Sequence, residues 1–185
     1  AIFTLKGKPL NVCDLKRDTL YKNVELYNLM QSLDIEETVD NLRYQKVILA
    51  TDADVDGLHI RNLMITFFMR FFDRIMREGH LYILETPLFR VRNKKDTFYC
   101  YSEAERVQAM EKCGKNPEIT RFKGLGEISP SEFKGFIGKT IRLTPVDCTR
   151  DKELKDTIEF YMGRNTQERR QYIMDHLVIT EESLS

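Results

Sequence analysis

Three aspartates spaced two residues apart are the residues best suited to chemistry in this sequence. Asp52, Asp54 and Asp56 follow the apolar run Val47–Ala50, and Gly57 comes directly after them. Three ionised carboxylates this close repel one another, which raises their pKa values and costs stability when no partner is present. A hard cation with oxygen ligands removes that cost, so the spacing predicts a Mg²⁺ site. The alternative is a solvated acidic turn, which the apolar run disfavours.

Two other acidic motifs fit the sequence less well. An EF-hand calcium loop also reads D-x-D-x-D-G, but it needs a glutamate at its twelfth position, where this chain has Leu63. A haloacid-dehalogenase-type phosphatase motif continues to Thr or Val at its fifth position, where this chain has Asp56 or Leu58. A site that holds Mg²⁺ through a few carboxylates, with water and a phosphate as further ligands, remains.

The elements around the aspartates indicate an α/β fold. Val47–Ala50 is typical of a fully buried strand of a parallel sheet. Apolar residues at helical spacing predict helices over 23–34 and, as one long helix, over 58–76. This order places the acidic turn at the carboxyl end of a strand, where open α/β sheets bind ligands.

The rest of the chain alternates between predicted strands and helices. The predicted strands cover residues 81–85, 88–92, 97–101, 118–122 and 140–144, the last ended by Pro145, with a hairpin turn at Asn93–Asp96. The predicted helix starts are the capping boxes Ser102–Glu105 and Ser129–Glu132, the helical pattern from Lys152, and a cap at Asn165 with Glu168 three residues later. The segment 179–185 is expected to be frayed.

Composition excludes several classes of protein. The chain has 185 residues, a length that fits one compact domain or one domain with an appended subdomain. Of these residues 42% are hydrophobic, and the formal net charge is zero. No apolar run approaches the ~20 residues of a membrane span, and no secretory signal is seen, so we expect a cytoplasmic protein without a membrane partner. The four cysteines form no C-x-x-C pair, which argues against a zinc site.

Four segments together resemble the B subunits of type IIA DNA topoisomerases, that is, of gyrase and topoisomerase IV. Thr51–Arg61 resembles the TOPRIM signature, and Lys6–Val12 resembles the segment that precedes it in the family. Phe122–Glu127 resembles the K-G-L-G-E loop, and Glu168–Arg170 resembles the final helix. The four matches occur in the family's order and span nearly the whole chain.

The resemblance implies both a fold and a division into domains. Residues 1–146 are expected to form a Rossmann-like α/β TOPRIM domain, with a parallel-type sheet flanked by helices. Residues 147–185 are expected to form a small C-terminal helical tail. In the family, a glutamate from an upstream E-G-D-S-A motif completes the metal site, and this sequence contains no such motif. We therefore expect the chain to be inactive alone.

The family's activity is to break and rejoin both strands of a duplex while another duplex passes through. By resemblance, Asp52 and Asp54 are catalytic ligands of Mg²⁺, with Mn²⁺ or Ca²⁺ as substitutes, and Asp56 is a ligand or a supporting acid. The partners would be double-stranded DNA and an A subunit that carries the attacking tyrosine, in an A2B2 heterotetramer associated with the bacterial chromosome. ATP would bind only to an N-terminal domain that this sequence does not contain.

Several basic and polar residues match family positions near DNA. By resemblance, the DNA contacts are Lys8, Asn11, His59 and Arg169. Possible supporting residues come from the K-G-L-G-E loop: Lys123, Gly124, Gly126 and Glu127. The two glycines can expose backbone N–H groups or allow a tight turn. Lys123 and Glu127 either pair with each other or line the metal site.

Three interpretations compete with the preferred one, a topoisomerase IV B subunit that supports relaxation and decatenation. A gyrase B subunit is the nearest alternative, although Leu58 and the segment 84–88 look more like topoisomerase IV. A TOPRIM primase or nuclease shares the acidic turn but not the lysine–glycine segment or the K-G-L-G-E loop. A calcium-binding regulatory module is the alternative from another class.

Overall fold

The computed structural model describes residues 1–138, 140–147 and 151–177, with the backbone alone for 151–152. This part of the chain forms eight α-helices and six β-strands in two small sheets, which confirms the α/β class. Among these helices, none combines the length and the apolar character that crossing a membrane requires.

The helices and strands are numbered here in chain order. The helices are α1 (Arg17–Lys22), α2 (Val24–Leu33), α3 (Val55–Phe71), α4 (Asp73–Arg77), α5 (Glu103–Cys113), α6 (Pro130–Phe136), α7 (Asp151–Met162) and α8 (Thr166–Asp175). The strands are β1 (Val47–Leu49), β2 (Leu81–Leu84), β3 (Phe89–Arg92), β4 (Thr97–Cys100), β5 (Glu118–Arg121) and β6 (Leu143–Pro145). The helix predicted over 23–34 is confirmed as α2, capped by Asn23, which accepts the Leu26 N–H at 3.0 Å.

The first sheet has the strand order β1–β2–β6, with β1 parallel and β6 antiparallel to β2. Helices α3 and α4 connect β1 to β2, so this part is a parallel crossover unit. The prediction of a fully buried first strand is wrong, because β1 lies at the edge of the described sheet and Ile48 is 39% exposed. The β1–β2 pairing nevertheless directs the carboxyl end of β1 into the acidic turn.

The last strand also differs from its prediction. It pairs over Leu143–Pro145 rather than 140–144, so Pro145 is the last residue of the strand rather than the residue after it. The adjacent Val146 N–H donates to the Leu81 carbonyl at 2.9 Å, and β6 is an edge strand. An edge strand tolerates proline because its missing N–H can fall on the side without a partner.

The helix after β1 is interrupted, so the prediction of one helix over 58–76 is wrong. Asp54 caps α3, which therefore begins earlier than predicted. The interruption falls at Phe72, whose φ of −143° and ψ of 42° are not helical. This backbone turns the Phe72 ring into the core, where it is 2% exposed and lies 5.2 Å from the Phe67 ring.

The main hydrophobic core lies between the first sheet and helices α1 to α4. Phe67 and Phe68 meet edge to face, with ring centroids 5.1 Å apart. Full burial of such side chains contributes roughly 1.5–3 kcal/mol each. Other fully buried members are Leu20, Leu26, Met30, Ile35, Ile75 and Leu81. This core fixes β1 and the helix that follows the acidic turn.

The second sheet has the order β4–β3–β5 and is antiparallel throughout, so the parallel character expected of the fold is confined to β1 and β2. The predicted hairpin turn is confirmed, because Asn93 N–H donates to the Asp96 carbonyl at 2.9 Å. Helix α5 packs on this sheet through a small cluster. The buried members of that cluster are Val91, Cys100, Ala109 and Cys113.

The two predicted capping boxes have different outcomes. The box that opens α6 is confirmed, because the Ser129 hydroxyl and the Glu132 carboxylate each bind the other residue's main-chain N–H. The box that opens α5 is only half formed. Ser102 accepts the Glu105 N–H at 3.1 Å, but the Glu105 carboxylate accepts the Tyr101 N–H at 2.9 Å instead of closing the box.

Helices α7 and α8 form a pair at the end of the described chain, and α7 packs against α3. Asn165 is the N-cap residue of α8, as predicted, but its side chain makes no capping hydrogen bond. Its oxygen instead accepts a hydrogen bond from the Arg169 guanidinium at 2.8 Å. The predicted domain boundary at 146/147 lies beside residues 148–150, and it stays a prediction. Residues 148–150 and the tail over 179–185 lie outside the described residues.

Candidate metal and nucleic-acid site

Asp52 lies in the turn between β1 and α3 and binds a loop far away in the sequence. The Leu125 main-chain N–H donates to Asp52 Oδ1 at 2.7 Å, across 73 residues. Gly124 is so close that a Cβ there would lie 3.0 Å from Asp52 Cγ. The Asp52 side chain is nevertheless exposed. One carboxylate oxygen is therefore held by the loop while the carboxylate remains open to solvent.

Asp54 is the N-cap of α3. Its Oδ1 accepts the Gly57 N–H at 2.7 Å, which satisfies one of the free N–H groups at the start of the helix. Gly57 is required by space, because a Cβ at this position would lie 2.1 Å from the Asp52 carbonyl oxygen. The D-x-D-x-D-G spacing thus fixes the main chain of the turn: Asp54 starts the helix, and Gly57 lets its first turn pack against Asp52.

Asp56 points to a different partner. Lys8 Nζ lies 2.7 Å from Asp56 Oδ1, with the lysine side chain 51% and the aspartate side chain 66% exposed. The hydrogen bond and the positive charge of Lys8 hold the pKa of the Asp56 carboxyl below its ordinary value. Asp56 therefore has a partner, and the mutual rise in pKa expected of unpartnered carboxylates does not apply to it. His59 lies on the first turn of α3, is exposed, and contributes electrostatically to the same lowering of the Asp56 pKa.

The three aspartates do not converge on one point. Within 1–138, 140–147 and 151–177, no group of three or more His, Cys, Asp or Glu side chains is arranged to hold a metal ion. Asp52 and Asp54 still fit the chemistry of Mg²⁺, because each is exposed and is hydrogen-bonded through one carboxylate oxygen. Mg²⁺ usually takes only one or two protein carboxylates and keeps water and phosphate as its other ligands.

The K-G-L-G-E segment lies within a loop over 122–128, called here the 122–128 loop. Inside it, the Glu127 carboxylate accepts the Lys123 main-chain N–H at 2.9 Å, and the Glu127 N–H donates to the Gly124 carbonyl at 3.2 Å. The Lys123 side chain is exposed. A Cβ at Gly126 would meet no atom within 4 Å. Of the two glycines, only Gly124 is therefore packed against the acidic turn.

Asn11 and Arg169 lie apart from these contacts and bind α7. The Asn11 amide donates to the Met162 carbonyl at 2.8 Å, at the end of α7. Arg169 Nη1 donates to the Phe160 and Gly163 carbonyls, both at 2.8 Å. Both side chains therefore satisfy carbonyls at the end of α7. Their contact with DNA stays a prediction.

Two contacts of the site were not predicted from the sequence. Arg61 donates to the Thr51 hydroxyl through Nε at 3.3 Å and Nη2 at 3.2 Å, which ties α3 to the turn. Both residues belong to the TOPRIM-like signature, and this was the feature of the sequence that could have indicated a role for them in the site. The second contact is the Leu125 N–H, and the glycines on either side of it indicated only that a backbone N–H could be exposed.

Comparison with known proteins places the chain in a family. The Toprim domain model matches residues 1–86, and the model of the DNA gyrase B subunit carboxyl terminus matches residues 114–174. The B subunit of DNA topoisomerase 4 from Borreliella burgdorferi is 59% identical over 179 residues, which is 96% of this chain and 30% of that protein. The B subunit of DNA gyrase from Thermotoga maritima is 34% identical over 98% of this chain and 30% of that protein.

A solved structure supports the same relationship. It is the Plasmodium falciparum topoisomerase II DNA-binding, cleavage and re-ligation domain, with a TM-score of 0.77 and 26% identity. The match covers 94% of this chain and 25% of that chain. The class of protein that these matches and the α/β fold indicate is that of the type II DNA topoisomerases. The chain belongs to the family of type IIA topoisomerase B subunits, and it spans about 30% of the length of the relatives named above.

Proposed function

We propose that this chain is the magnesium-binding part of a DNA cleavage and religation core, in a topoisomerase IV type of B subunit. The observation that carries the proposal is the pair of exposed carboxylates, Asp52 and Asp54, at the carboxyl end of β1 in a chain of this family. The choice of topoisomerase IV is supported by the identity of 59% to one protein of that type, against 34% to a gyrase relative.

In this proposal, Asp52 and Asp54 hold Mg²⁺, which Mn²⁺ or Ca²⁺ can replace. When bound, the ion would neutralise phosphate oxygens and orient the leaving oxygen during phosphoryl transfer. Asp52 presents its carboxylate with one oxygen fixed by the Leu125 N–H, and Asp54 presents the oxygen that does not cap α3. Asp56 is the supporting acid, because its carboxylate already binds Lys8.

The DNA backbone would lie across the same end of the sheet. Lys8 and His59 are exposed near the acidic turn, and a lysine that neutralises a phosphate contributes affinity independent of sequence. Asn11 and Arg169 stay proposed contacts, although both side chains are hydrogen-bonded inside the chain. The attacking tyrosine is on an A subunit, and two copies of each subunit form the working heterotetramer on bacterial chromosomal DNA.

The test is DNA cleavage by the full-length B subunit reconstituted with its A subunit. Asp52→Asn together with Asp54→Asn should reduce Mg²⁺-dependent cleavage by at least about 100-fold, because the ligands to the ion lose their charge. Asp96→Asn is the matched control, since Asp96 is an exposed aspartate in the hairpin of the second sheet. Equal cleavage by the double variant and the control would refute the metal assignment.

The same preparation separates the alternatives. Decatenation of linked circles without the introduction of negative supercoils supports topoisomerase IV, whereas ATP-dependent negative supercoiling supports gyrase. Titration of the chain with Mg²⁺ and Ca²⁺ tests the calcium-binding module. A strong preference for Ca²⁺ that is lost in the double variant would favour that module over the topoisomerase assignment.

A further inference from the structure

We infer that the 122–128 loop positions Asp52 for the cation, through the Leu125 main-chain N–H and the absence of a side chain at Gly124. The inference rests on the proposed function, because it concerns how a proposed ligand is oriented. It assigns the loop a role that no side chain in it performs: the contacting groups are a peptide N–H and a hydrogen atom in place of a Cβ.

The contact has the geometry of a strong hydrogen bond to a charged acceptor. The N···O distance of 2.7 Å is at the short end for N–H donors, as expected when the acceptor is a carboxylate. A carboxylate held at one oxygen can rotate less about its side-chain bonds, so the other oxygen faces a defined direction. Groups that orient a metal ligand in this way raise the affinity of the site for its ion.

The loop is held firmly enough to act as a fixed support. Phe122 and Ile128, at its two ends, are 4% and 7% exposed and pack with Phe136 in a separate apolar cluster. The Phe122 N–H donates to the Leu88 carbonyl at 2.8 Å, and the Ile128 N–H donates to the Leu125 carbonyl at 3.2 Å. The Leu125 N–H is therefore fixed relative to the second sheet and α6, so these elements contribute to the site indirectly.

Gly124 is needed for space and not for backbone freedom. Its φ of −150° and ψ of 166° are extended values that any residue adopts. A Cβ there would lie 3.0 Å from Cγ, 3.1 Å from Oδ1 and 3.2 Å from Oδ2 of Asp52. An added methyl group would therefore push the carboxylate by a few tenths of an ångström and change its position relative to the Leu125 N–H. Gly135 in α6 offers a control outside the loop, because it is exposed and nothing lies within 4 Å of its Cβ position.

The experiment compares Gly124→Ala with Gly135→Ala in the full-length B subunit reconstituted with its A subunit. We expect Gly124→Ala to raise the Mg²⁺ concentration for half-maximal DNA cleavage by about 10- to 100-fold, with cleavage restored at saturating Mg²⁺. Gly135→Ala should stay within about twofold of the wild type. Binding of Mn²⁺, followed by electron paramagnetic resonance without DNA, should weaken in the same order.

Two controls separate the inference from its foundation. In an Asp52→Asn background, the Gly124→Ala change should have no further effect on Mn²⁺ binding, because the two residues act as one unit. Equal Mg²⁺ dependence for the two alanine variants would overturn the inference and leave the metal assignment intact. The inference would also be overturned if Gly124→Ala reduced cleavage and thermal stability with no shift in Mg²⁺ dependence. If Asp52→Asn left Mn²⁺ binding unchanged, the proposed function itself would fail.

Discussion

Two carboxylate centres of this molecule differ in how fully their oxygens are used. Glu132, at the start of α6, is 18% exposed and accepts hydrogen bonds from Ser129, from Arg90 at 2.6 Å and from Tyr99 at 3.0 Å. Asp52, in the acidic turn, is exposed and accepts one hydrogen bond from the described residues, that of the Leu125 N–H. The first centre is saturated by protein donors, and the second is left open.

This difference separates a structural carboxylate from one suited to a ligand. The hydrogen bond from Ser129, reinforced by Arg90, lowers the pKa of Glu132 to about 2. The Glu132 carboxylate thus joins α6 to the second sheet, and both of its oxygens are occupied by hydrogen bonds. The acidic turn instead has exposed carboxylates at Asp52 and Asp54, on a main chain held by the Asp54 cap and by the close approach of Gly57 to Asp52. Glu132, the carboxyl group with the strongly lowered pKa, is therefore not a candidate ligand for a metal ion.

The largest expected effect on stability is that of Glu132→Gln. A shift from 4.5 to about 2 corresponds to about 3 kcal/mol, at about 1.4 kcal/mol per unit, so the variant should lose on the order of 2–3 kcal/mol at neutral pH. Chemical denaturation of the chain measures this. Glu103→Gln is the control, since the Glu103 side chain is 60% exposed and its ion pair among the described residues is with Arg106 on its own helix. That control should change stability by less than about 0.5 kcal/mol.

The same centre predicts a pH dependence. The pKa of Glu132 is lower in the folded chain than its ordinary value, so its contribution is complete above about 4.5 and is lost as the pH falls toward about 2. Denaturation midpoints measured between pH 6 and 2.5 should fall for the wild type. Glu132→Gln should flatten that fall. An equally steep fall in the variant would show that Glu132 is not a main source of acid sensitivity.

A smaller loss is expected for Gly57→Ala, which tests whether the main chain of the open centre is rigid. The added Cβ would lie 2.1 Å from the Asp52 carbonyl oxygen, so the turn must shift, at a cost of about 1–3 kcal/mol. Gly135→Ala in α6 is the control, since its Cβ meets nothing within 4 Å. It should stabilise the chain by up to about 1 kcal/mol, because alanine favours a helix over glycine. Loss of stability in both variants would contradict this explanation.

Asp52→Asn should leave stability without metal within about 0.5 kcal/mol of the wild type, because the side chain is exposed. A thermal melt in the presence of a chelator measures this. The comparison with Glu132 would be lost if Asp52→Asn destabilised the chain as much as Glu132→Gln does.

The smallest effect on stability is expected for Lys8→Gln. Removal of the ammonium group should raise the pKa of Asp56 toward its ordinary value, which carboxyl NMR titration can follow. If Lys8 also contacts a phosphate, the slope of log affinity against log salt for DNA should fall by about 1. Lys94→Gln, in the hairpin turn, is the matched control and should change neither quantity. An unchanged Asp56 pKa in Lys8→Gln would show that the ion pair does not persist in solution.

Local signals in the sequence predict the local parts of this structure. The turn at Asn93–Asp96 and the box at Ser129 depend on neighbours within four residues, and both are confirmed. The break at Phe72 could not be predicted, because apolar spacing continues across it and the cause is the packing of the ring in the core. The Leu125 contact with Asp52 depends on the tertiary fold across 73 residues. The spacing of the three aspartates could be recognised in the sequence, but the hydrogen-bond partner of each carboxylate could not be predicted from it.

The late position of β6 has a consequence for synthesis on the ribosome. Strand β2 pairs with β1 on one side, but the residues that cover its other side come about 60 positions later. At a synthesis rate of ~5–20 residues per second, that edge of β2 remains unpaired for roughly 3–12 s. An unpaired strand edge is a template for aggregation during this time. Nascent chains that end before residue 143 should therefore depend on chaperones more than chains that extend past it.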